Sequence, residues 1–164
     1  MARIYYGEVL KYGDNINTDI ISPPQYMELP LEQAAKYAMS AVDPDFYKKV
    51  KDGTILAAGV NFGSGSSRET SPQVLKLLGI RVLVAKSFAR IFYRNAINLG
   101  IWPVVCRDAD KLQTGDKICV DPLQGRIVNE TKNESYKCEK FPQLILELIE
   151  GGGLYEMLRT DAEK

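Results

Sequence analysis

The sequence of 164 residues contains no histidine. This absence excludes serine-histidine triads, histidine general bases and most zinc sites, because each of them needs an imidazole. Any proton transfer must therefore use Ser, Asp, Glu, Lys, Arg, Tyr or Cys, or a group from another chain.

Cysteine is also scarce. Cys106, Cys119 and Cys138 are widely separated, and their spacing does not resemble a metal-binding cluster, so we predict no metal site in this chain. An odd number of cysteines without a secretion signal is typical of a reducing compartment. We therefore expect free, mostly buried thiols.

Neither sign of charge dominates, since Lys and Arg total 21 and Asp and Glu total 21. No strong field recruits nucleic acid or an anionic membrane, and we expect neither as a partner. The longest largely apolar stretches, such as residues 80–85, which include Arg81, and residues 101–106, are too short to span a bilayer, and the first residues do not resemble a signal peptide. We expect a cytoplasmic protein with a single domain over residues 1–164.

Apolar, β-branched runs alternate with segments of helical spacing, which predicts an α/β fold. Strands are predicted at residues 4–12, 54–60, 80–85 and 101–106. Helices are predicted at residues 31–39, 46–50, 68–78, 87–99, 144–149 and 154–158. The order indicates a mainly parallel central sheet with right-handed crossovers, and the turn-rich stretch after residue 106 predicts β-hairpins. Residues 15–24 read as an extended, poorly helical loop around Asp19.

The most distinctive segment follows the predicted strand at 54–60 and has the sequence Asn-Phe-Gly-Ser-Gly-Ser-Ser-Arg-Glu, residues 61–69. Gly63 and Gly65 lack Cβ atoms, so the backbone can turn tightly and bring its N–H groups close to a ligand. The pattern indicates a pocket for a small anion. Tight turns use the same residues, however, and a purely structural loop is an open alternative.

The end of this loop predicts the start of a helix. Ser66 or Ser67 is a suitable N-cap, with Arg68 in the first turn, where its planar fork can grip a carboxylate. The loop matches neither nucleotide-binding glycine pattern, because it lacks the lysine of one and the third glycine of the other. A compact carboxylate is therefore favoured over a nucleotide. Arg90 and Arg94, one helical turn apart, either bind an anion or pair with surface acids.

Three segments together resemble a known family: Asp-Asn-Ile-Asn-Thr-Asp at 14–19, the loop at 61–69, and Ala-Lys-Ser-Phe-Ala-Arg-Ile-Phe-Tyr-Arg-Asn at 85–95. They resemble the small subunits of the isopropylmalate isomerase and homoaconitase group, which correspond to the swivelling domain of aconitases. The likeness extends from Tyr6 to about Leu158. It implies a β/β/α swivelling domain and a hydro-lyase that moves water on a substituted malate or citrate.

The resemblance also implies roles for particular residues. Ser66 matches the family's proton-abstracting serine, and Asp19, the second residue that we expect to be catalytic, matches the aspartate of the family's Asp-Thr-Asp element. Ser67 and Arg68 match carboxylate ligands, with Ser64 and Gly65 beside them in the substrate site. In the family, a 4Fe-4S cluster on a separate large subunit removes the hydroxyl group, so this chain is expected to work in a heterodimer or heterotetramer and to hold no cofactor itself.

Departures from the family pattern bear on the substrate. Asn17 replaces an acid, Thr70 replaces a common histidine, and their roles stay open. The specificity loop, Tyr26, Met27, Glu28 and Leu29, differs from the Tyr-Leu-Arg-Thr of homoaconitase-type members, whose arginine binds an extra carboxylate. Because an acid stands at that place here, an apolar substituent as in isopropylmalate is favoured. Related substituted malates or citrates, such as dimethylmalate, and a non-catalytic anion-binding module are the alternatives.

Overall fold

The computed structural model describes residues 4–66 and 68–163. Within them, seven strands form one sheet in the order β4-β3-β2-β1-β5-β6-β7. The strands are β1 Tyr5–Lys11, β2 Ile55–Ala57, β3 Val82–Ala85, β4 Trp102–Val105, β5 Lys117–Asp121, β6 Arg126–Asn129 and β7 Glu134–Lys137. Strands β1 to β4 pair in parallel, whereas β5, β6 and β7 are antiparallel neighbours. The predicted parallel region and the later hairpins are both confirmed.

The helices are α1 Thr18–Ile21, α2 Leu31–Ala34, α3 Phe46–Lys49, α4 Thr70–Leu77, α5 Arg90–Asn98, α6 Gln143–Glu150 and α7 Leu154–Ala162. Short 3-10 turns occupy Pro24–Tyr26, Ala35–Tyr37 and Ala109–Lys111. The single helix predicted for residues 31–39 is wrong, because α2 ends after one turn and the chain continues as a 3-10 turn. Met39 then adopts a left-handed conformation with φ 62°, which no α-helix accommodates.

The central parallel strands are covered on both faces. On β2, Ile55 packs into one hydrophobic cluster with Trp102 and Phe141, while the next residue, Leu56, packs into a second cluster with Leu75 and others. All four residues of β3 are buried. A strand that is buried on both faces has no polar alternation, and this explains why residues 82–85 are all apolar.

Two predicted helix starts are wrong. Helix α4 begins at Thr70, and the residue before it, Glu69, caps it without a side-chain hydrogen bond. Helix α5 begins at Arg90 rather than at Ser87. The Ser87 hydroxyl instead accepts a hydrogen bond from the Asn61 backbone N–H at 2.8 Å. Arg68 therefore lies in the turn before a helix, not in its first turn.

Because β1 to β4 are parallel, the loops that leave their carboxyl ends lie along one edge of the sheet. The loop after β1 carries Asp19, the loop after β2 carries Ser66 and Arg68, and the segment after β3 leads into α5. Open parallel sheets bind ligands at this edge. No helix in the described part of the chain is long and apolar enough to cross a membrane.

Candidate active site

The loops that follow β1 and β2 are joined along their length by main-chain contacts. Four backbone hydrogen bonds of 2.7–3.1 Å connect them: Gly59 N to Gly13 O, Asn15 N to Val60 O, Gly63 N to Ile16 O, and Thr18 N to Ser64 O. The side chain of Asp14 adds a bond by accepting from Val60 N at 2.9 Å. The two segments that carry the predicted site residues are therefore held as one unit.

Residues 61–69 are called the serine loop below. The backbone conformation and close packing of this loop require glycine at both of its glycine positions. Gly63 has φ +82°, and a Cβ there would lie 2.1 Å from the ring of Phe92. Gly65 has φ +109°, and a Cβ there would lie 3.0 Å from the Thr18 hydroxyl oxygen. Side chains rarely adopt such backbone angles. The predicted tight turn is confirmed. It packs against Phe92 of α5 at Gly63 and against Thr18 of the segment after β1 at Gly65.

The sequence predicted Asp19 in or beside an extended, poorly helical stretch, and Asp19 lies beside it, two residues after the extended Asn17. It occupies the single helical turn α1, which Asn17 caps by accepting a hydrogen bond from Ile20 N at 2.9 Å. Asn and Asp are about equally good helix caps. The cap accounts for the residue type at position 17 and fixes the direction in which Asp19 leaves the backbone.

Thr18 is a site residue that the sequence analysis missed. Its side chain is 2% exposed, and its hydroxyl oxygen accepts a hydrogen bond from Ser66 N at 3.1 Å and lies 3.2 Å from Ser66 Oγ. Its carbonyl oxygen accepts from the Ser71 hydroxyl at 3.4 Å. Thr18 thus ties α1 to both the serine loop and α4. The only signal in the sequence was its position between Asn17 and Asp19.

Arg68 gathers the predicted site residues around its guanidinium group. Its Nε donates to Ser66 Oγ at 2.7 Å, its Nη1 contacts the Met27 sulfur at 2.8 Å, and its Nη2 pairs with the Asp19 carboxylate. The Arg68 side chain is 21% exposed and that of Asp19 is 58% exposed. The structure therefore brings Ser66, Asp19, Arg68 and Met27 together at the sheet edge.

This arrangement has a clear electrostatic consequence. The Ser66 oxygen accepts a charge-assisted hydrogen bond, so negative charge on that oxygen would be stabilised. The Asp19 carboxylate occupies another arm of the same guanidinium. A ligand carboxylate can bind Arg68 in a bidentate manner only if it displaces or shares that arm.

The remaining predicted residues of the serine loop are placed as follows. Ser64 is half-buried, and its backbone carbonyl accepts from Thr18 N at 2.8 Å. Gly65 is exposed beside it. Ser67, the second predicted carboxylate ligand, lies outside the described residues.

The specificity loop borders a cavity. Tyr26 stacks on Tyr37 with ring centroids 3.8 Å apart, while Met27 and Leu29 are 47% and 37% exposed. Glu28 is exposed. A cavity of about 230 Å³ separates this loop from α4 and is lined by Ser22, Met27, Leu29, Leu31, Ala34, Thr70, Gln73 and Val74. Its lining is mainly aliphatic, with a few polar groups.

Thr70 is the polar residue of this cavity with an unmet hydrogen bond. Its Oγ1 is buried and has no hydrogen-bond partner among the described residues. A buried hydroxyl without a partner costs free energy, so such atoms usually face a ligand or an ordered water molecule. Gln73 lies one turn further along the same helix wall. The position of Thr70 and Gln73 in a pocket was not predicted from the sequence.

The three cysteines lie away from the serine loop in sequence and are free thiols. Cys106 is 1% exposed in the core, and its thiol donates to Lys137 O at 3.3 Å. Burial raises the pKa of Cys106, and burial together with the nearby Cys106 thiol raises the pKa of Cys138 to about 12. Among residues 4–66 and 68–163, no group of three or more cysteine and acidic side chains is placed to hold a metal ion.

Arg90 and Arg94 share the exposed side of α5 as predicted. Of the two alternatives for these arginines, pairing with surface acids is not seen in the described part of the chain, where neither arginine has an ion-pair partner.

Comparisons with known proteins identify the family. Residues 10–109 match the aconitase C-terminal domain. The 3-isopropylmalate dehydratase small subunit of Halothermothrix orenii is 46% identical over 155 residues, which cover 93% of this chain and 94% of that protein. The isopropylmalate/citramalate isomerase small subunit of Methanocaldococcus jannaschii is 45% identical, with 97% and 96% covered. A crystal structure of 3-isopropylmalate dehydratase from that organism matches with a TM-score of 0.91 and 40% identity, covering 98% of this chain and 96% of the other. The predicted swivelling fold is confirmed, and the chain belongs to the 3-isopropylmalate dehydratase small-subunit family of aconitase-type domains.

Proposed function

We propose that this chain is the small subunit of a 3-isopropylmalate dehydratase and that Ser66 is its catalytic base. Together with a large subunit, it would interconvert 2-isopropylmalate and 3-isopropylmalate by dehydration and rehydration in leucine biosynthesis. The observation that carries the assignment of the base is the 2.7 Å hydrogen bond from Arg68 Nε to Ser66 Oγ. In a chain without histidine, this contact gives one hydroxyl a cationic neighbour suited to proton transfer.

Ser66 would remove the proton from the carbon next to a substrate carboxylate. A serine hydroxyl is a weak acid, so its alkoxide needs preformed donors. Arg68 Nε is one such donor, and the Thr18 hydroxyl, 3.2 Å from Ser66 Oγ, is a second. In the reverse direction, the protonated Ser66 would return its proton to the same carbon.

Arg68 would bind the substrate carboxylate and offset the charge that develops when the proton leaves. Asp19 holds the guanidinium fork before substrate arrives, and the incoming carboxylate would take over one of its contacts. Asp19 therefore acts as a positioning group for Arg68 and, by repulsion, sets the side from which the carboxylate approaches. From the family resemblance we also assign Ser64, Gly65 and Ser67 to the carboxylate site.

The specificity loop and α4 would hold the substituent of the substrate. Met27 touches Arg68 and also lines the 230 Å³ cavity with Leu29, so an alkyl group next to the bound carboxylate would meet aliphatic walls. Glu28 would repel a third carboxylate. An isopropyl group fits this chemistry better than the carboxylate arm of homocitrate.

The departing hydroxyl needs a Lewis acid, and a 4Fe-4S cluster on the large subunit would supply one when bound. The thiols of this chain do not fit that cluster, because Cys106 is enclosed in the core and no three cysteine or acidic side chains of the described residues come together to hold a metal ion. This chain would contribute the base and the carboxylate site, and the partner would contribute the cluster. We expect the two chains to form a heterodimer or a heterotetramer, and a measurement of the mass of the complex distinguishes these two assemblies.

The test uses the complex of this chain with its large subunit, assayed on isopropylmalate, dimethylmalate and homocitrate. We expect turnover of isopropylmalate, and we expect Ser66→Ala to reduce kcat by at least about 100-fold while subunit association is retained. Ser135→Ala, an exposed serine on β7, is the matched control and should behave as the unchanged protein. Full turnover by Ser66→Ala would favour an anion-binding or assembly module, and activity confined to homocitrate would contradict the reading of Glu28.

A further inference from the structure

The amino end of α5 is fixed to the serine loop. Phe62 N donates to Ser87 O at 3.0 Å, and Ala89 N donates to Phe62 O at 2.9 Å. The rings of Phe62 and Phe92 meet edge to face at 5.2 Å, so the first turn of α5 packs against the loop as well. A surface on the start of this helix therefore keeps a fixed position relative to the loop that carries Ser66.

The exposed residues in the first turns of α5 do not stabilise the isolated chain. Arg90 stands at the first helical position, where the helix dipole opposes a cation. Arg90 and Arg94 are exposed and form no hydrogen bond or ion pair with any described residue, and Ile91 between them is 51% exposed. Helix α5 contains no acidic residue that could neutralise either arginine.

Elsewhere in the described chain, Arg107 and Arg126 are also exposed without an ion pair, but other arginines have acidic partners. Arg81 lies at the opposite, amino-terminal edge of the parallel strands and pairs with Asp52 at 3.4 Å. Arg159 on α7 pairs with both Glu156 and Glu163. The two arginines of α5 are distinguished by lying one helical turn apart, with an exposed isoleucine between them, on a helix whose start is joined to the loop that carries Ser66. Residues that are locally unfavourable, such as an arginine at the first position of a helix, are expected at functional surfaces.

We propose that Arg90, Ile91 and Arg94, the α5 patch, are a docking surface for the large subunit and that they bind an acidic face of it. The inference rests on the proposed function, because half of the active site must come from a partner that covers the serine loop. The patch is rigidly continuous with that loop, so the partner that closes the site reaches the patch as well. Its arginines require carboxylates opposite them, and an exposed apolar side chain between two arginines is typical of an interface hot spot.

The experiment measures the dissociation constant of this chain and its large subunit by isothermal titration calorimetry at low and at high salt, together with dehydratase activity. Arg90→Glu combined with Arg94→Glu should weaken association by at least about 30-fold, as expected for hot-spot residues. The loss should shrink at high salt. Arg81→Glu at the opposite edge is the matched control and should leave affinity unchanged. Ile91→Ala is a second variant, at an exposed position that folding does not require, and should weaken binding less and without salt dependence.

The outcomes separate this inference from the proposed function. If the unchanged chain forms an active complex and the double variant, folded by circular dichroism, binds equally well, the docking proposal is wrong and the proposed function stands. Unchanged affinity with a raised KM would also overturn docking and would assign the arginines to substrate binding. If the unchanged chain binds the large subunit but the complex does not dehydrate any of the three substrates, the proposed function fails while the patch remains testable by affinity alone.

Discussion

Replacing Thr18 by valine tests whether the loop after β1 positions the proposed base. Valine has nearly the shape of threonine, so the buried methyl group of this 2% exposed residue stays in place. The backbone bonds of residue 18 to Ser64 and Ser71 do not depend on its hydroxyl. The change removes two contacts only, the 3.1 Å bond from Ser66 N and the 3.2 Å contact with Ser66 Oγ.

The size of the effect follows from these contacts. Each hydrogen bond is worth a net of about 0.5–1.5 kcal/mol, and Ser66 is exposed, so water can replace the partner that its N–H loses. We therefore expect the free energy of unfolding to fall by only about 1 kcal/mol. Catalysis is more sensitive, because loss of alignment of a reacting group costs up to about 100-fold in rate. We expect kcat of the complex to fall by about 10–100-fold with a smaller change in KM.

The assay is steady-state dehydration by the assembled complex, combined with urea unfolding of the isolated chain. Thr18→Ser keeps the hydroxyl and should restore most of kcat. In a Ser66→Ala background, Thr18→Val should change the residual rate little, because the group that it positions is already gone. A kcat within about twofold of the unchanged protein, in a folded Thr18→Val chain, would refute the positioning role.

Three further predictions concern the specificity loop, the serine loop and the Cys138 thiol. Glu28→Arg should raise kcat/KM for homocitrate relative to isopropylmalate, measured on the two substrates in parallel, because a cation then faces the third carboxylate; an unchanged ratio would exclude this position from specificity. Gly63→Ala should lower the free energy of unfolding by about 2–4 kcal/mol in a urea titration, since it combines left-handed strain with a clash against Phe92. Raising the pH above about 8.5, where an unfolded thiol ionises, should destabilise the fold, because Cys138 keeps its proton in the folded state up to a pKa of about 12. The stability is thus complete below pH 8.5 and is lost as the pH rises toward 12, and Cys138→Ala should flatten that part of the pH profile of unfolding.

The amino-acid sequence by itself determined the strands, the order of the elements and the chemistry available to the site. The consecutive apolar residues at 82–85 were sufficient to predict a central strand, because burial on both faces leaves no place for polar residues. The absence of histidine made serine a natural candidate for proton transfer, the loop at 61–69 indicated an anion pocket, and the family resemblance implied the roles of Ser66 and Arg68. These are properties of composition and local spacing, and they can be read one segment at a time.

The tertiary structure decided which residues meet. The partnership of Thr18 with Ser66 joins positions 48 apart in the chain, and no local pattern encodes it. The helix starts also depended on distant contacts: the Ser87 hydroxyl, a good cap in isolation, is taken by Asn61 N from another loop. Likewise, only the folded chain shows that Arg68 reaches Asp19 and Met27 at once, while no acid among the described residues pairs with Arg90 or Arg94. Backbone and side-chain groups are satisfied by whichever partner the packed sheet edge brings near, and that choice is made in three dimensions.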